Sequence, residues 1–137
     1  MTVWILLLLA FSGLAETVYL ISCRLQKRRP ICPAGESCSI VLESNYNSLF
    51  WIHNDIVGLF FYSAIIIDLL LIGMRIGFVP LEFLALNALF IGGACMSALL
   101  IYIQWKIIKF WCFWCLVSAC INWLMAAVFF VAVLRHA

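Results

Sequence analysis

Four apolar stretches, each close to the length of a membrane crossing, leave this chain very little choice of fold. A hydrocarbon core of about 30 Å needs roughly 20 residues in helical form. Residues 2–22, 56–74, 76–105 and 107–134 meet or approach that length, each with a single charged residue: Glu16, Asp68, Glu82 and Lys109. Backbone groups in lipid must be satisfied within the segment, so these stretches are expected to be helices. Composition agrees: 68% of the 137 residues are apolar and 10% charged, against about half and about a quarter in soluble domains. A water-soluble fold would lack the polar surface to cover itself, and disorder fails for the same reason. A net charge of +2 gives no reason to expect a nucleic-acid partner. The expected fold is all-α, a single four-transmembrane-helix bundle over 1–137 with short links around Arg75 and Lys106. The first stretch is read as a span rather than a cleaved signal peptide. Small residues do occur at Gly13 and Ala15, but a basic leader is missing and the apolar run continues to Ile21.

Only residues 23–55 look aqueous, holding Arg24, Lys27, Arg28, Arg29, Glu36, Glu43 and Asp55. Pro30 and Pro33 should stop any helix continuing from the first span. Further on, Asn45 to Ile52 interleaves Tyr46, Leu49, Phe50, Trp51 and Ile52 with Asn45, Asn47 and Ser48. Such a mixture suits a short amphipathic segment on the membrane face, because Trp and Tyr favour the interface.

Two of the cysteine spacings carry chemistry. Cys32 and Cys38 flank Pro33 and Gly35 in the polar loop, and a turn built on those residues brings two cysteines within disulfide reach. Cys112 and Cys115 enclose Phe113 and Trp114 at the start of the last span. That spacing on a helix puts both sulfurs on nearby faces. The unpaired N–H groups of a first helical turn favour thiolate, as would Lys109 one turn earlier, making Cys112 the more reactive of the two. With four spans, both couples fall at the same membrane face. One is aqueous and the other embedded, so electrons could pass between them by thiol–disulfide exchange. The spacing alone leaves two other readings open. A zinc site needs four ligands and finds only His53 as a further aqueous candidate; alternatively, the cysteines are merely buried small residues. Cys23, Cys95 and Cys120 are unpaired in spacing and are expected to be packing residues.

Taken together these residues resemble the vitamin K epoxide reductase family of membrane thiol oxidoreductases. Cys38-Ser39 with Val41, Leu42, Ser44 and Tyr46, then Asn54, Gly58 and Tyr62, then Cys112 and Cys115 with Ser118 and Asn122, follow its pattern over nearly the whole chain. The Cys32–Cys38 gap is closer to prokaryotic members, and the expectation is a stand-alone homologue without a fused thioredoxin-like domain. The resemblance implies that Cys32 exchanges with a separate thioredoxin-fold, DsbA-like partner and that Cys38 relays to Cys112. It implies that Cys115 sits against a quinone (ubiquinone, menaquinone or a vitamin K-type ring), that Asn54 hydrogen-bonds a quinone carbonyl, and that Ser44 holds the loop over the site. Asn54 has an alternative role as the cap of the second helix. Phe61 and Trp114, with Phe110, Trp111 and Leu116, are candidates for the apolar quinone pocket, and no metal is expected. One departure is Ala119, where animal members carry a quinone-site tyrosine; it argues against epoxide reduction and leaves quinone reduction untouched.

Charge and resemblance disagree on orientation. Arg24, Lys27, Arg28, Arg29, Lys106 and Lys109 crowd the cysteine face, against Arg75 and Arg135 opposite, which by the positive-inside rule puts the redox face in the cytoplasm. The family resemblance puts it outside, and that is the expectation adopted, with the inverted arrangement as its alternative. A DsbB-like layout is a competitor within redox chemistry, but its paired cysteines lie in two aqueous loops. Outside redox chemistry the alternatives are a small four-helix transporter working through Glu16 and a non-catalytic membrane subunit. Ionisable groups inside spans are costly and usually functional, but Glu16 is near enough to the end of its span to reach towards water, and neither Glu16 nor Asp68 is assigned a role.

Overall fold

The computed structural model describes residues 1–28, 30–32, 48–49 and 52–136. Its helices are α1 (Thr2–Leu25), α2 (Asn54–Met74), α3 (Val79–Tyr102) and α4 (Phe113–His136), and α3 continues into a π-helical turn over Ile103–Ile108. All four stretches are long and apolar enough to cross a membrane. The boundaries differ from the sequence reading in several places: α1 runs on to Leu25 rather than 22, and α4 to His136 rather than 134. Helix α2 starts at Asn54 rather than 56, and α3 starts at Val79, with Pro80 in its first turn, where a missing N–H costs nothing. The link expected at Lys106 lies instead at 109–112, because the π turn carries the third helix through Lys106 to Ile108.

Three helix ends turn on basic residues in the left-handed conformation: Lys27, Arg75 and Lys109, with φ of 54°, 55° and 60°. Glycine is the usual residue there. A cation beside the orphan carbonyls of a helix C-terminus offsets part of the roughly 1–2 kcal/mol steric cost. Between α1 and α2, the described part of the expected amphipathic segment is a two-residue antiparallel pairing, β1 (Ser48–Leu49) with β2 (Ile52–His53).

Helix α1 packs on α2 and α4, and α3 packs on the same two, so the bundle closes as a ring. The end away from the cysteines is filled by Leu6, Leu7, Ala10, Ile65, Leu69, Leu86, Phe90, Met125 and Phe129. Phe90 and Phe129 stack with centroids 4.7 Å apart. Outward-facing positions are also apolar, among them Trp4, Leu8, Phe60 and Leu84, as a lipid-facing surface requires. Cys95 and Cys120 lie on this outer surface, against the expectation that they pack; Cys23 is buried as expected. At Gly13, α1 lies close against α2. A Cβ there would run into the ring of Tyr62, so only glycine lets that ring lie flat on α1.

Candidate functional site

At the other end of the bundle the core gives way to sulfur and polar groups. Cys112 immediately precedes α4 and fills the helix N-cap role. Its carbonyl accepts from Leu116 N–H at 3.0 Å, and its Sγ accepts from Cys115 N–H at 3.4 Å. Few residues other than Ser, Thr, Asp and Asn offer a side-chain acceptor at this position; here a sulfur supplies it. The backbone N–H of Cys112 is also satisfied, donating to Gln104 Oε1 at 2.9 Å. Gln104 is 2% exposed, and it reaches inward from the π turn.

These contacts act on the thiol. Cys112 is held below the ordinary thiol value, first by the side-chain hydrogen bond from Cys115 and further by the backbone N–H groups of Cys115 and Trp114, with burial opposing. Lys109, expected to contribute, is not among the causes; it is exposed on the link. In reduced protein, the thiolate absorbance that disappears in Cys112→Ser should therefore titrate with a midpoint below that of a free thiol, rising with pH through it. Cys115→Ala should move the midpoint up, since it removes the strongest lowering contact. A midpoint indifferent to Cys115 would place the stabilisation elsewhere.

Cys112 is fully buried, and Cys32 packs against it together with Ile108, Phe113, Trp114 and Cys115. Cys32 is itself disulfide-bonded. Two contacts hold its segment down: Ile31 N–H donates to Tyr19 Oη at 3.0 Å, and Trp114 Nε1–H donates to Ile31 C=O at 2.8 Å. The Tyr19 and Trp114 rings lie 5.1 Å apart. An Arg24–Asp55 ion pair at 3.1 Å joins the end of α1 to the start of α2 beside them.

Cys115 faces the other way. It lines a cavity of about 330 Å³ between the four helices, with Asn54, Phe61, Trp114, Leu20, Met96 and Leu100 among its walls. That volume and largely apolar lining fit a small flat ring held by a few polar groups. The polar groups form a ladder on one side. Tyr62 Oη donates to Asn122 Oδ1 at 2.9 Å and lies 3.0 Å from Ser118 Oγ, and Asn122 Nδ2 donates to Ser97 Oγ at 2.8 Å. Glu16 also lines the cavity. At 6% exposure it is buried among the helices rather than snorkelling, because it lies three residues from Gly13 on the face of α1 that packs against α2.

The vitamin K epoxide reductase family model matches residues 4–130. The chain belongs to that family. Membership makes it a membrane-embedded oxidoreductase. No curated protein matches the chain in sequence.

Of the residues the family pattern singled out, Cys32, Cys112 and Cys115 come together, and Asn54, Phe61 and Trp114 line the cavity. Cys38 and Ser44 lie outside the described residues. Asn54 is not the helix cap, since His53 holds that position. Phe110 and Trp111 are on the exposed link and, like Leu116, are not cavity walls. Among the described residues, no three His, Cys, Asp or Glu side chains cluster as a metal site. Gln104, Ser97 and the Tyr62–Ser118–Asn122 ladder were given no role from sequence. Their signal was present all the same, in polar residues seven apart (Ser97, Gln104) and four apart (Ser118, Asn122) within apolar runs.

Proposed function

We propose that this member of the vitamin K epoxide reductase family is a quinone-coupled thiol oxidoreductase that makes disulfides in a separate thioredoxin-fold protein. One observation carries the reading: a single cysteine pair looks two ways, Cys112 towards the disulfide-bonded Cys32 and Cys115 into the cavity. The family is generally quinone-linked. The partner's dithiol reduces the Cys32–Cys38 couple through Cys32; Cys38 passes the electrons to Cys112; and Cys115 delivers them to a quinone held in the cavity. A bound quinone supplies the two-electron acceptor.

The chain's own residues do the rest. Cys112, favoured as thiolate by its helix-capping position, is the sulfur poised for exchange with the loop. Asn54 offers an amide N–H to a quinone carbonyl, with Phe61 and Trp114 as apolar walls. Ser44 is proposed to hold the loop. The redox face is proposed to be extracytoplasmic, as in the family pattern; the basic residues Arg24, Lys27, Lys106 and Lys109 support the inverted arrangement as the alternative.

Purified protein in lipid discs, given a short-chain quinone and a reduced thioredoxin-fold protein, should consume one quinone per disulfide formed. Prior alkylation of the reduced protein should stop this. Quinone loss unaffected by alkylation would remove the thiol mechanism, and protein that reduces no quinone while binding one would point to a non-catalytic role.

A further inference from the structure

Reducing a quinone takes two protons as well as two electrons, and the sulfur relay accounts only for the electrons. Glu16 is the acidic group inside the site that nothing above employs. Its carboxyl is buried, and neither oxygen has a hydrogen-bond partner among the described residues. It lines the same cavity as Cys115 and Tyr62 and interacts electrostatically with Cys112, Cys115 and Tyr62. No lysine or arginine lines the cavity among the described residues, so no cation there neutralises it. An ionisable group left this way inside a membrane bundle is costly to keep. A residue serving only to fill space would carry no such cost if it were leucine or glutamine.

We infer that Glu16 is the proton carrier of the cavity, giving a proton to the acceptor as the cysteine pair is oxidised. The inference rests on the quinone reading above and adds to it the identity of the acid. The balance is as follows. As an electron pair leaves the dithiol, Glu16 gives its proton to the carbonyl oxygen facing it. Its carboxylate then takes the proton of the Cys115 thiol, which restores the acid. The S–S bond between Cys112 and Cys115 forms as the two S–H bonds are lost. The Cys112 proton leaves at the aqueous face, and the second carbonyl oxygen, at the Asn54 end, takes one up from water there. Two thiols become a disulfide, and a quinone becomes a quinol.

Among the described residues, the other titratable groups facing Glu16 are few. Helix α2 presents Tyr62 and Asp55, the latter paired with Arg24; the start of α4 presents Cys112 and Cys115; α3 and its π turn contribute only the neutral Ser97 and Gln104. A pH limb in turnover that vanishes with the Glu16 carboxyl is therefore attributable to it.

The test compares wild-type protein with Glu16→Gln and Glu16→Asp in lipid discs. In Glu16→Gln, kcat for quinone reduction should fall roughly 100-fold or more, in the range for loss of a general acid. KM should change little, and the pH limb should be lost. Reduction of the protein's own disulfides by the thioredoxin-fold partner, followed without quinone by alkylation and mass spectrometry, should be unchanged. Glu16→Asp should recover much of the rate. An infrared difference spectrum between dithiol and disulfide states should contain a protonated-carboxyl band that is missing from Glu16→Gln. The inference is overturned if Glu16→Gln keeps its kcat and pH profile. It is equally overturned if that variant raises KM alone, or loses partner exchange together with quinone reduction, for then Glu16 is a packing group. A wild-type protein that reduces no quinone fails the functional reading itself; a failure confined to the Glu16 comparison leaves that reading standing.

Discussion

Cys115→Ser protein should lose quinone reduction by roughly 1,000-fold or more, on the scale seen when a nucleophile is removed, and should accumulate a disulfide joining Cys112 to a loop cysteine. The expectation follows from the two-way arrangement of the pair. Cys112 lies against Cys32 and keeps its partners there, Gln104 and the N-terminal backbone of α4. Its thiolate still attacks the loop couple. Without Cys115 no second sulfur resolves the linkage, so the intermediate persists. Cys112→Ser should be equally inactive yet form no such species, because the sulfur next to the loop is gone. Peptide mapping under acid quench reads both outcomes and tells which of Cys32 and Cys38 is joined; the proposed relay requires Cys38. Turnover that continued in Cys115→Ser with no trapped species would disprove the relay.

Gly13→Ala should destabilise the protein, although alanine is the better helix former by about 1 kcal/mol. The added methyl meets three atoms of the Tyr62 ring, not the end of a flexible chain. Overpacking of this kind costs roughly 1–3 kcal/mol. Tyr62 is 1% exposed and borders the cavity. Its displacement would break the contacts to Ser118 and Asn122. Two readouts should therefore move together: a lower unfolding midpoint in detergent and a higher KM for quinone. Tyr62→Phe keeps the ring and loses the hydroxyl, so it should share the second effect with little of the first. A higher midpoint in Gly13→Ala would mean that α1 and α2 do not meet at this position.

Much of the architecture was legible because lipid imposes a length. Each of α1 to α4 could be read from the extent of its apolar run, and the Cys112–Cys115 spacing marked the reactive end. The third boundary was missed for a local reason. Ile107 and Ile108 precede Lys109, and Phe110 and Trp111 follow it, so hydropathy hardly changes across the link. The stop is a lysine in a left-handed conformation, which no glycine announced. The burial of Glu16 could not be read from sequence, for a tertiary reason. Its place along the span leaves water within reach, but its face of α1, shared with Gly13, is the one packed against α2, which only the tertiary fold reveals. The ladder from Tyr62 to Ser97 needed three helices to be placed before its members could be paired. Cys38 and Ser44, for which family pattern supplied the roles, lie outside the described residues.

The widened turn at Ile103–Ile108 has a consequence for how this chain tolerates change. A π turn accommodates extra chain within a helix and so offsets the angular phase of whatever follows. Here the turn holds two residues that meet Cys112: Gln104, which accepts from its backbone N–H, and Ile108, which packs against it. Removing one residue between them would let the stretch relax to ordinary α geometry and change how Gln104 and Ile108 are set relative to each other. The length of this segment therefore matters as much as its composition: it is a spacer between the third span and the sulfur pair, and an insertion or deletion there would misdirect the sulfur chemistry.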